Sequence, residues 1–156
     1  MEVLHSAKCD LASHVLRDHG SLRLRVDGTS MLPALWPGDV VRIERLPADA
    51  VAPGDVVLFY RAGRLFLHRV AQATATHLHT YGDAWRLPDP PVSATEFLGR
   101  ATHLEDSGCF SALAPVSGWR SALSVLLRWR PVRTLTCWCH ARWMRRTLDE
   151  AAWQGQ

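Results

Sequence analysis

The sequence predicts a mainly β domain with an N-terminal helix and a C-terminal helical tail. Three observations carry this. Short apolar runs are punctuated by Pro-Gly-Asp and Gly turns between residues 21 and 106, helical periodicity is confined to the two ends, and 47% hydrophobic with 21% charged residues is ordinary globular usage over 156 residues. The boundaries read as 1–114 for the β domain with its helix and 115–156 for the tail.

Residues 3–19 place Leu4, Ala7, Leu11, Ala12, Val15 and Leu16 at helical spacing, and Gly20 suits the position after a helix end. In Ser21–Asp27 the period changes to two: Leu22, Leu24 and Val26 alternate with Arg23, Arg25 and Asp27, the pattern of a half-buried strand. Val40–Arg45, Asp55–Tyr60, Arg64–Ala71, His77–Tyr81 and Phe97–Leu104 are further strand candidates. Pro37-Gly38-Asp39 and Pro53-Gly54-Asp55 are turn signals, and Arg61-Ala62-Gly63-Arg64 reads as a hairpin loop.

From Ser117 the period is helical again, with a break at Pro131 and a second helical piece over 132–148. Charge is uneven. Residues 1–106 carry 11 Lys+Arg and 13 Asp+Glu, whereas 107–156 carry seven Arg against Asp149 and Glu150, with five of the seven Trp. Arg and Trp on amphipathic helices suit an anionic membrane surface, so peripheral membrane contact through 117–148 is one expectation. Packing on the β domain, or on a partner, is another. Nucleic acid is the least favoured partner.

No apolar run is long enough to span a bilayer, and Lys8, Asp10 and Arg17 interrupt any signal-peptide core. The expected location is the cytoplasm or the membrane surface. Cys9, Cys109, Cys137 and Cys139 lack the paired spacing of a zinc site and read as reduced thiols. His77-x-His79 has no companion ligand at metal spacing and reads as a surface pair. No metal or cofactor is expected.

The segment Asp27-Gly28-Thr29-Ser30-Met31-Leu32-Pro33 is the most informative. A Ser after Gly-Thr at a strand end sits where backbone N–H groups can be aimed at its Oγ. Later come Gly54-Asp55-Val56-Val57-Leu58-Phe59, then His68-Arg69-Val70, then Gly82-Asp83-Ala84 with Asp89 between two prolines, and then Gly99-Arg100. In this order the set resembles the signal peptidase I family of serine proteases, over residues 20–104. The resemblance implies a signal-peptidase or repressor-autoprotease-like β domain and an endopeptidase acting on an extended leader- or signal-type peptide.

The family has a Ser/Lys branch and a Ser/His branch. The chain's single Lys, Lys8, lies outside every motif, and His68 stands at the position of the base, as in the branch found in archaea, some bacteria and the endoplasmic reticulum. By this resemblance Ser30 is the nucleophile and His68 the general base, with Asp83 or Asp89 orienting it. A serine hydroxyl needs a base within hydrogen-bond reach, and an imidazole supported by a carboxylate on its far nitrogen supplies one.

Met31 is expected to line the substrate cleft. Many members carry a hydroxyl residue two positions before the nucleophile as an oxyanion donor. Here that position is Gly28, which leaves the Ser30 backbone N–H and the Thr29 hydroxyl as candidates. A repressor-type autoprotease would need a Lys base. The alternative function is a non-catalytic or regulatory binding module on the same scaffold, favoured if Ser30 Oγ and His68 stand more than about 5 Å apart.

Overall fold

A computed structural model describes residues 2–84, 87–106 and 109–113. It has one α-helix, α1 (Glu2–His19), a 3-10 turn (Ala48–Ala50), and eight strands: β1 (Ser21–Arg25), β2 (Val40–Glu44), β3 (Val56–Arg61), β4 (Arg64–Ala73), β5 (His77–Tyr81), β6 (Val92–Ser93), β7 (Phe97–Asp106) and β8 (Cys109–Ala112). The expectation of a mainly β domain with an N-terminal helix holds. The tail expected over 115–156 lies outside the described residues. No helix among the described residues is long and apolar enough to cross a membrane.

All strand pairings are antiparallel, in the order β1-β2-β7-β3-β4-β5-β6, with β8 on β7 beyond the point where β3 leaves it. Alternation along the strands explains the burial. On β2, Val41 and Ile43 are fully buried while Arg42 between them is exposed. β3 is apolar without alternation, because Val56, Val57, Leu58 and Phe59 are covered on both faces. One cluster gathers Leu16, Val26, Met31, Leu35, Val41, Ile43, Val56 and Leu58, and the other gathers Val57, Phe59, Val70, Leu78 and Val92. Burying one such side chain contributes about 1.5–3 kcal/mol.

The β3–β4 hairpin turns through Ala62 and Gly63, both at positive φ (48° and 77°), the two-residue turn whose twist matches the strands. Among the open strand edges of the described residues, two border the groove. β1 pairs only with β2, and β4 pairs with β5 only from Arg69 onward, leaving Arg64–His68 free on that side. The sheet curls so that these edges face each other across a groove.

Candidate active site

Ser30 sits in the loop between β1 and β2. Two backbone bonds close the loop base, Val26 N–H to the Asp39 carbonyl (2.8 Å) and Gly38 N–H to the Val26 carbonyl (2.7 Å). Asp39 then accepts a bond from the Trp36 N–H (2.8 Å), as a turn-forming Asp does. Met31, Leu32 and Leu35 are at most 1% exposed and drive the loop into the core. Ser30 is left half-buried at the groove, its carbonyl accepting a bond from Ala84 N–H at 2.9 Å.

His68 lies on β4, 8% exposed, in T-shaped contact with the rings of Phe59 and Phe66, each 6.0 Å away between centroids. Its Nε2 is 3.0 Å from Ser30 Oγ and its Nδ1 is 2.7 Å from Asp89 Oδ2. The buried Thr80 hydroxyl donates to the same Asp89 oxygen at 2.6 Å, and Asp89 N–H bonds the Thr80 carbonyl at 2.8 Å. Burial alone would raise the Asp89 pKa. The hydrogen bonds from His68 and Thr80, aided by the charges of His68 and Arg61, outweigh it and hold the carboxyl below its ordinary value.

The two aspartates named from sequence part company here. Asp83 does not meet His68 among the contacts of the site. It is 4% exposed and takes Arg69 Nε and Nη2 on its two oxygens, both at 2.8 Å, while Arg69 Nη1 bonds the Gly54 carbonyl at 2.7 Å. His68 and Arg69 are adjacent on a strand, so their side chains leave on opposite faces. One carboxylate serves each face.

Met31 borders the groove as part of its floor and is 1% exposed. Gly28 is exposed on the groove wall, and Thr29 is half-buried beside it. His77 bonds the Thr76 hydroxyl at 2.9 Å, and no cluster of three potential metal ligands occurs among the described residues.

Three residues that the motif reading left without a role shape the site. Gly82 is buried, and a Cβ there would stand 2.8 Å from the Ser30 carbonyl oxygen, 3.2 Å from Ser30 Cβ and 3.4 Å from His68 Nε2. Thr80 could have been found from the alternation of β5, where it shares the buried side with Leu78. Arg61 ends β3 and spans to the Asp89 loop, with Nη1 on the Pro90 carbonyl (2.9 Å) and Nη2 on the Pro91 carbonyl (2.8 Å). Glu96 holds Arg61 from the other side at 2.6 and 2.9 Å. No local signal marks Arg61, because its partners lie about thirty residues away.

The groove beside Ser30 and His68 has a volume of about 860 Å³. Leu22, Leu24, Leu65 and Leu67, all half-buried, contribute to its lining. The arrangement can move a proton from a hydroxyl to an imidazole whose other nitrogen faces a carboxylate, beside two strand edges able to hold an extended chain. No protein-family model and no curated protein matches this chain.

Proposed function

We propose that this chain is a serine endopeptidase of the signal-peptidase-like kind, of the Ser/His branch, that cleaves an extended leader- or signal-type peptide. The observation that carries the reading is the 3.0 Å separation of Ser30 Oγ and His68 Nε2, in line with the 2.7 Å contact of His68 Nδ1 and Asp89. A binding module has no need of that alignment, and the separation is inside the reach of a general base.

In this reading His68 Nε2 takes the hydroxyl proton as Ser30 Oγ attacks the peptide carbonyl, and Asp89 stabilises the imidazolium. His68 then gives the proton to the leaving amine as the C–N bond breaks. Water, deprotonated by the same nitrogen, hydrolyses the acyl-serine. The Ser30 backbone N–H has no backbone acceptor among the described residues and is available to the oxyanion. The substrate lies in the groove by adding a strand to the edges of β1 and β4. Asp83 acts at one remove, by fixing Arg69 and the turn that presses on Ser30.

The test is cleavage of leader-type peptides by wild type and Ser30→Ala, with covalent labelling by a fluorophosphonate probe. The expected result is labelling confined to Ser30 and cleavage lost in the variant. Equal cleavage by both proteins overturns the assignment.

A further inference from the structure

We infer that the C-terminal half of α1 is the end wall of the substrate groove and selects an apolar, non-basic residue at the fourth or fifth position from the scissile bond. The inference rests on the protease reading and names a specificity element within it.

The strand ends fix where the helix sits. β1 begins at Ser21, β4 at Arg64 and β7 at Phe97, while β2 ends at Glu44 and β3 at Arg61. In an antiparallel order these ends lie at one end of the sheet, opposite the one to which β1 and β4 run toward Ser30 and His68. α1 packs against β1, β4 and β7, and its exit is tied down where Arg45 N–H bonds the Gly20 carbonyl at 2.8 Å. Leu16 plugs the core at 2% exposure.

The neighbouring face of the helix carries Leu11, Ala12 and Val15, and all three line the same groove as Ser30 and His68. Leu11 is 63% exposed, a large apolar side chain that the core leaves to solvent. The groove is therefore continuous from the nucleophile to the helix, with an open strand edge on either side. From His68 back to Arg64 are four residue steps, about 13 Å at ~3.3 Å per residue. An extended chain whose scissile carbonyl meets Ser30 would bring its fourth or fifth residue against Leu11 and Val15.

Charge narrows the choice. The charged residues lining the groove toward the helix end are Arg23 and Arg64, whereas Arg25, the last residue of β1, and Asp27 lie toward the catalytic end. Arg23 is paired with Glu105, and Arg64, the first residue of β4, has no ion pair among the described residues. A Lys or Arg on the bound chain would meet like charge there.

The experiment reads binding and cleavage separately. Peptides carrying Leu, Asp or Lys at the fourth and fifth positions on each side of the cut are titrated onto Ser30→Ala protein and, in parallel, digested by wild type. Leu11→Asp and Leu11→Met are compared in the Ser30→Ala and the active backgrounds. The expected result is a preference of about tenfold or more for Leu over Lys at one of these positions, the scale of a partly filled apolar subsite. Leu11→Asp should remove it, Leu11→Met should keep it, and the fluorophosphonate labelling rate of Ser30 should not change.

Cleavage with no preference at these positions, or a preference that survives Leu11→Asp, overturns the inference and leaves the protease reading standing. Selective binding without cleavage by wild type overturns the protease reading and keeps the groove assignment. A dimer that dissociates on Leu11→Asp, with no peptide preference, would give the groove to a second copy of this chain and overturn the inference.

Discussion

Asp83 holds Arg69 through two parallel hydrogen bonds of 2.8 Å, with both side chains no more than 5% exposed. The pair stands one residue along β4 from His68, on the other face, and it anchors the Gly82–Ala84 turn against Ser30. Removing one partner of a buried pair strands the other charge and costs about 3–5 kcal/mol. Asp83→Asn should therefore lower the melting temperature strongly. Asp89→Asn leaves Thr80 able to bond the new side chain, so stability should change little, while kcat falls by about 10⁴-fold as the imidazole loses its orienting carboxylate. Thermal melts and peptide cleavage on the two variants check the division. Equal losses of activity at equal stability would refute it.

The crowding at Gly82 gives a second expectation. A methyl group at this position would stand 2.8 Å from the Ser30 carbonyl oxygen, a backbone atom that cannot swing aside. The same oxygen is fixed by Ala84 N–H at 2.9 Å, so relief requires the Ser30 loop to move. Overpacking of this kind costs about 1–3 kcal/mol, and a displacement near 1 Å at a reacting group costs about 10²-fold in rate. Gly82→Ala should fold, melt a few degrees lower, and label at Ser30 about 100-fold more slowly than wild type. Unchanged labelling would show that the loop yields without moving Ser30.

Most of this fold is legible because its signals are local. β1, β2, β3, β4, β5 and β7 fall where alternation or continuous apolar runs meet Pro-Gly-Asp and Gly turns. β6 is two residues long, and only its pairing of Val92 with Leu78 and Ser93 with His77 makes it a strand. β8 owes its place to the far half of β7. At the site, Ser30 and His68 are legible from motif order. The choice between Asp83 and Asp89 is not, since each is a carboxylate in a Gly- or Pro-bounded turn. It is made by the return of the Asp89 backbone to Thr80 and by the opposite faces of His68 and Arg69, both properties of the folded sheet.

Glu96 sets the acid behaviour of the loop that carries Asp89. The Arg61 guanidinium, followed by the Ser93 N–H, holds its carboxyl at about 2 against burial. A carboxyl depressed in the folded state stabilises the protein above its unfolded pKa of about 4.3, and that contribution is lost as pH falls toward the folded value. The melting temperatures of wild type and Glu96→Gln should therefore differ most above about pH 4.5 and converge as pH is lowered toward 2. A gap that stays constant over this range would remove Glu96 ionisation from the stability of the domain. Arg61→Gln, which loosens the Pro90 and Pro91 carbonyls, should lower kcat more than it raises KM.

Gly28 offers a gain of function. A Cβ built there stands 4.0 Å from Ser30 Oγ and meets no other atom within that distance, so a larger side chain is accommodated on the groove wall. A serine hydroxyl lies one bond beyond that Cβ and, under the protease reading, can turn toward the carbonyl that Ser30 would attack. One oxyanion donor is worth about 10²–10³-fold where the site is organised around it. An added donor without a supporting shell should give less, so Gly28→Ser is expected to raise kcat about tenfold with KM little changed. Gly28→Ala supplies the same Cβ without the hydroxyl and should give no increase. Steady-state cleavage of a single leader-type peptide by the three proteins reads this directly. An equal response to Ser and Ala would mean that the hydroxyl does not reach the oxyanion, which would then rest on the Ser30 backbone N–H and the Thr29 side chain.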